Sequence, residues 1–117
     1  MPALARRTVL TTLVAILPQV LALPGADASP VRVLILTGLN NHNWKETTPV
    51  LTSILGNSGR FAVTVIEKPE TCTAALLAGH DALLSNWNNF GSKAGVGDWP
   101  ESGRTAFVDY VRNGGGI

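Results

Sequence analysis

The sequence predicts an α/β domain built on a doubly wound parallel sheet, and three observations carry the prediction. Short apolar runs rich in branched residues recur at "VRVLIL" (31–36), "FAVTVI" (61–66) and "DALLS" (81–85). Segments with helical spacing separate them, and Gly, Asn or Pro marks each junction. Alternation of this kind calls for right-handed crossovers between parallel strands.

Residues 1–28 read as an address and not as part of the fold. Arg6 and Arg7 give a positive start, Val9 to Leu23 an apolar stretch broken by Pro18, and Ala26-Asp27-Ala28 a small-x-small peptidase site. Cleavage after Ala28 is expected. The apolar run is short for a membrane span, which needs about 20 residues, although an uncleaved anchor is the other reading. "RRTVL" approaches a twin-arginine signal without matching it, so the export route stays open between the general and twin-arginine pathways. The product is expected to be periplasmic or extracellular, with no stable membrane association after cleavage.

The rest follows in order. "VRVLIL" lacks polar alternation, as a strand covered on both faces does. Thr47, Thr48 and Pro49 supply a hydroxyl cap and a first-turn proline, and Val50, Leu51, Ile54 and Leu55 recur at helical spacing until Gly56, Asn57 and Gly59 end the helix. "FAVTVI" is the second strand, "TAALLAGH" (73–80) a short helix, and "DALLS" the third strand. After a long polar loop, Pro100 opens a helix with an apolar stripe of Ala106, Phe107, Tyr110 and Val111, and Gly114 caps it. Ile117 reads as the first residue of a fourth strand. Three strands and the start of another leave an apolar edge, so residues 29–117 are expected to be the amino-terminal part of a domain whose carboxyl-terminal part is missing.

Charge narrows the partners. The chain carries nine basic and eight acidic residues, and without Arg6, Arg7 and Asp27 the balance is seven against seven. Nothing clusters into a basic stripe, so nucleic acid is not an expected partner. The single cysteine, Cys72, has no internal disulfide partner; it reads as a small half-buried residue at a helix start, or else as a reactive thiol.

In open parallel sheets, ligands bind outside the carboxyl ends of the strands where the strand order reverses. With strand one flanked by strands two and three, the loops 37–45 and 85–99 face each other there. Those loops read "TGLNNHNWK" and "SNWNNFGSKAGVGDW", and they hold all three tryptophans and six of the eight asparagines. Amides that both donate and accept, beside indole faces, suit a neutral polyhydroxylated ligand, a small-molecule carbohydrate. Asparagines also favour tight turns, and a loop tryptophan can simply cover a sheet end. The candidate ligand-binding residues are Asn40, Asn41, Trp44, Asn86, Trp87 and Trp99, with His42 as the candidate proton carrier. His80 suits a helix-dipole contact instead. Glu46 and Asp98 flank the loops, but no carboxylate pair is arranged for glycoside hydrolysis. Metal ligation lacks ligands, and a single glycine after strand one falls short of a phosphate-binding fingerprint; neither metal nor cofactor is expected.

The stretches "VLILTGLNNHNWKETTPVLTSIL", "SGRFAVTV", "DALLSNWNNFG" and "WPESGRTAFVDYVRNGGGI" together resemble the ThuA-like (trehalose utilisation) family across nearly all of residues 31–117. The resemblance implies a class I glutamine amidotransferase-like, flavodoxin-like fold and a link to disaccharide or oxidised-sugar metabolism. It points to Asn40, Asn41, His42, Trp44, Asn86 and Trp87. It also implies that an apolar strand follows "GGG" and ends near a histidine, where related amidotransferases place a nucleophilic cysteine; Cys72 lies elsewhere. Three functions stay open: a sugar-modifying hydrolase or isomerase using His42, a non-catalytic carbohydrate-binding domain using the same loops, and a purely structural domain.

Overall fold

The computed structural model describes residues 29–117, and the expected signal segment and cleavage site lie outside the described residues. Strand β1 (Val31–Leu36) lies between β2 (Phe61–Ile66) and β3 (Ala82–Ser85), all parallel, in the order β2-β1-β3. This is the parallel α/β sheet that the alternating pattern predicted, in the flavodoxin-like form that the family resemblance implied. Val33 to Leu36 are all buried, which accounts for their unbroken apolar run. β2 shows the other behaviour: Ala62 and Thr64 are exposed while Phe61 and Val63 are half-buried, as expected of a strand covered on one face.

Helix α1 (Trp44–Asn57) packs on β2, whereas α2 (Ala74–Ala78) and α3 (Glu101–Arg112) pack on each other. The core joins Leu34, Leu36, Cys72, Leu77 and Leu83, with Trp87, Trp99, Phe107 and Tyr110 packed against it. Truncating a side chain as enclosed as Leu34 costs about 2–5 kcal/mol in comparable cores.

Four expectations need correction. α1 begins at Trp44, three residues before the Thr-Thr-Pro cap, because the Asn43 carbonyl already accepts from the Glu46 and Thr47 amides at 3.2 and 3.1 Å. Pro49 therefore lies inside the helix, and the threonine hydroxyls serve another purpose, described below. Val50 and Ile54 were placed on the buried stripe of α1, and Val111 on that of α3, yet all three are exposed; Leu51 and Leu55 supply the half-buried face of α1. α2 is shorter than 73–80, with Thr73 as its cap: the hydroxyl accepts from the Leu76 amide at 3.2 Å. Finally, it is Gly116 and not Ile117 that touches β3, in a single parallel bridge to Ala82.

The end of α3 is built as its glycines suggest. Gly114 has φ +95°, its amide donates to Val111 O at 3.0 Å, and the Gly115 amide donates to Tyr110 O at 3.0 Å, the two bonds of a Schellman cap. At Gly115 a Cβ would meet the Tyr110 ring, so the glycine is also required by packing.

Candidate functional site

The loops after β1 and β3 converge at the carboxyl end of the sheet, as the switch-point argument predicted, and amide hydrogen bonds hold them together. Asn86 is the hub. Its Nδ2 donates to Thr47 Oγ1 at 2.9 Å and to Thr48 Oγ1 at 3.0 Å, and its backbone carbonyl accepts from Asn40 Nδ2 at 3.1 Å. Thr48 Oγ1 in turn pairs with Thr37 Oγ1 at 2.7 Å, and both threonines are buried. The hydroxyls read from sequence as a helix cap therefore anchor the second loop to the first turns of α1.

Asn88 adds a second clasp. Its Nδ2 donates to Asn40 Oδ1 at 2.9 Å and Asn41 Oδ1 at 3.1 Å, while its amide donates to Leu39 O at 3.0 Å. Asn40 Oδ1 also accepts the His42 amide at 3.0 Å, so both of its lone pairs are used. The hydrogen-bonding capacity that the sequence suggested for a ligand is thus largely spent between Asn40, Asn86 and Asn88. Asn41 differs: it is exposed, and its Nδ2 has no protein partner among the described residues. His42 is exposed beside it, with its backbone fixed through Asn40.

The three tryptophans do not share one surface. Trp44 stands in the first turn of α1, half-buried, with Lys45 Nζ 5.6 Å from its ring centroid. It lines a cavity of about 290 Å³ with Lys45, Thr48, Pro49 and Glu67. Trp87 and Trp99 lie instead in an aromatic row with Phe107: the Trp87–Trp99 centroids are 5.8 Å apart, and Trp99 meets Phe107 edge-on at 5.7 Å. That row lines a separate, larger cavity of about 530 Å³ between β3, the second loop and α3. Trp87 and Trp99 pack against the core as well as lining that cavity, while Trp44 stays with Asn41 and His42 on the first loop and the helix it enters.

Two residues missed in sequence stand out. Asn88 was counted in the amide cluster but not as a site residue, and nothing in its sequence neighbourhood distinguishes it from Asn89, whose Nδ2 reaches only Asp98 Oδ1 at 3.4 Å. Glu67, just after β2, brings a carboxylate to the Trp44 cavity. Its backbone is pressed against the first loop: at Gly38, φ +100°, a Cβ would collide with Glu67 O. A glycine after an apolar strand was the available signal.

Outside the crevice, His80 Nδ1 bonds the Leu76 carbonyl in the last turn of α2 at 2.8 Å, as the helix-end reading expected. Cys72 is buried, and burial together with the nearby Glu70 charge pushes its thiol above the ordinary range, which disfavours the thiolate. Among the described residues, no group of three or more His, Cys, Asp or Glu side chains is placed to hold a metal ion, and no helix is long and apolar enough to cross a membrane.

No family model matches the chain, and no curated protein matches it. A solved structure does: a protein of Parabacteroides merdae ATCC 43184 bearing the provisional name thua-like protein, 34% identical, aligned over 76% of this chain with a TM-score of 0.61. This chain spans 31% of the length of that protein.

Proposed function

We propose that this chain forms part of an exported ThuA-like protein of carbohydrate utilisation, with a sugar bound at the crevice where the loops after β1 and β3 meet. The observation that carries the reading is the amide clasp itself, which fixes Asn41, His42 and Trp44 at the switch point of the sheet. The likeness to the thua-like structure supports the assignment to carbohydrate metabolism. The ligand class is trehalose or a related disaccharide or keto-sugar.

In this reading Trp44 offers an indole face to a sugar ring, the free Nδ2 of Asn41 donates to a hydroxyl, and His42 moves a proton at a hydroxyl or at the carbon next to a carbonyl. Glu67 supplies a carboxylate on the Trp44 side. Asn40, Asn86 and Asn88 act as positioning residues. A second reading, binding without chemistry, is favoured by the same network: amides that satisfy one another shape a surface but leave His42 as the only proton carrier on the first loop.

Calorimetry and turnover on the exported protein with trehalose and with its keto-sugar test both. Trp44→Ala should weaken affinity by roughly 5- to 150-fold, the loss that about 1–3 kcal/mol produces. His42→Ala should lower turnover by about 10²- to 10⁴-fold if it transfers the proton, and change affinity alone if the domain only binds. Unchanged sugar affinity in folded Trp44→Ala and Asn41→Ala together would remove the shared site. Export is tested separately by amino-terminal sequencing, which should begin at Ser29.

A further inference from the structure

We propose that Asn113 is a site of spontaneous covalent modification, at which the side chain closes onto the Gly114 amide and hydrolyses to isoaspartate, and that the cap at the end of α3 restrains the closure. This inference is independent of the sugar reading.

The chemistry needs only water. The Gly114 amide nitrogen gives up its proton and attacks Asn113 Cγ; a new C–N bond forms, the carboxamide C–N bond breaks, and the leaving group takes a proton and departs as ammonia. Water then opens the succinimide ring at either carbonyl. One product is aspartate, and the other is isoaspartate, in which the main chain runs through Cβ. Closure is easiest where the following residue has no side chain to crowd the attacking nitrogen. Of the eight asparagines, Asn113 is the one that precedes a glycine.

Room for the ring is present. Asn113 is exposed, and no neighbouring atom lies within 4 Å of the position a Gly114 Cβ would take. Asn57, by contrast, donates to Ser53 Oγ at 3.0 Å, and Asn40, Asn86 and Asn88 are tied into the clasp. What opposes closure is the cap. At ψ 10° the Gly114 nitrogen nearly eclipses the Asn113 nitrogen and so faces away from Cβ, and its proton is engaged by Val111 O at 3.0 Å. The Gly115 amide is held by Tyr110 O at 3.0 Å, with the Tyr110 ring packed against that glycine. The nitrogen therefore reaches Cγ only when the cap opens. Isoaspartate then adds a methylene to the main chain within the cap and leaves a carboxylate at the carboxyl end of α3, where the helix dipole disfavours it.

The test incubates the exported protein at mildly alkaline pH, folded and in urea, and follows isoaspartate by methyltransferase labelling and peptide mapping. Isoaspartate should accumulate at Asn113 in urea, and roughly 5- to 150-fold more slowly in the folded protein, the restraint that two cap hydrogen bonds supply. Gly115→Ala, whose Cβ meets the Tyr110 ring, should open the cap and bring the folded rate toward the rate in urea. Gly114→Ala is read in urea, where folding plays no part, and its methyl group should slow closure severalfold. Absence of isoaspartate at Asn113 in urea would overturn the site. Equal rates in the folded and unfolded chain would overturn the restraint by the cap.

Discussion

Replacing Asn86 by alanine tests whether the amide clasp holds the crevice together. The substitution deletes the donors to Thr47 Oγ1 and Thr48 Oγ1 and the weak 3.4 Å contact from Asn40, but keeps the Asn86 carbonyl that accepts from Asn40 Nδ2. Thr48 retains its bond to Thr37, so one acceptor site on a buried hydroxyl loses its partner while the exposed Thr47 is rehydrated. The bond to Thr48 is therefore worth about 1 kcal/mol, and the whole set about 1–2 kcal/mol. The loss falls on opening of the loops. The assay is native-state hydrogen exchange at the Asn88 amide, which donates to Leu39 O across the junction. Its exchange should accelerate by about 5- to 30-fold, while the Ile35 amide in the central strand stays within about twofold. Asn41→Ala is the control, since it removes a single exposed acceptor and should change Asn88 exchange by less than about twofold. Unchanged Asn88 exchange in Asn86→Ala would mean that backbone pairing alone closes the loops.

Three other outcomes are expected. Asp81 accepts the Arg32 amide and two of its guanidinium nitrogens, and these bonds hold the carboxyl at about 2, below the usual 3.8. A carboxyl lowered by folding stabilises the fold above its unfolded value, so the contribution should be full above about pH 4 and disappear as pH falls toward 2; urea titrations of Asp81→Asn should lack that acid limb. Gly38→Ala combines a positive φ with a Cβ pressed onto Glu67 O, and should destabilise by about 2–4 kcal/mol, read as a lower denaturation midpoint. Cys72 should react with a thiol reagent only on unfolding, because it is buried and its thiol is pushed up; rapid labelling of the native protein would contradict this.

The fold was legible because its signals are local and repeated. The unbroken run Val33–Leu36 marked a strand covered on both faces, and parallel pairing followed from the alternation, whereas the order β2-β1-β3 was one of the arrangements that right-handed crossovers allow. Helix limits were harder, because Thr47, Thr48 and Pro49 fit a cap as well as the interior positions they occupy. The convergence of the two loops was also legible, from composition and the switch-point rule. What each asparagine does was not, because an amide's partners are set by three-dimensional placement: Asn86 and Thr48 are 38 residues apart in sequence. The same limit separated Trp44 from Trp87 and Trp99, which composition alone had grouped.

The clasp also defines what can be exchanged between related proteins. Residues 37–48 and 85–89 exchange hydrogen bonds with one another in both directions, through Asn40, Asn41, Thr47 and Thr48 on one side and Asn86 and Asn88 on the other. A graft that moved the first loop into another scaffold without the second would carry donors and acceptors whose complements stayed behind. Inheritance, recombination and engineering must therefore treat the two distant segments as one cassette, even though almost forty residues and a whole strand–helix unit separate them in the gene.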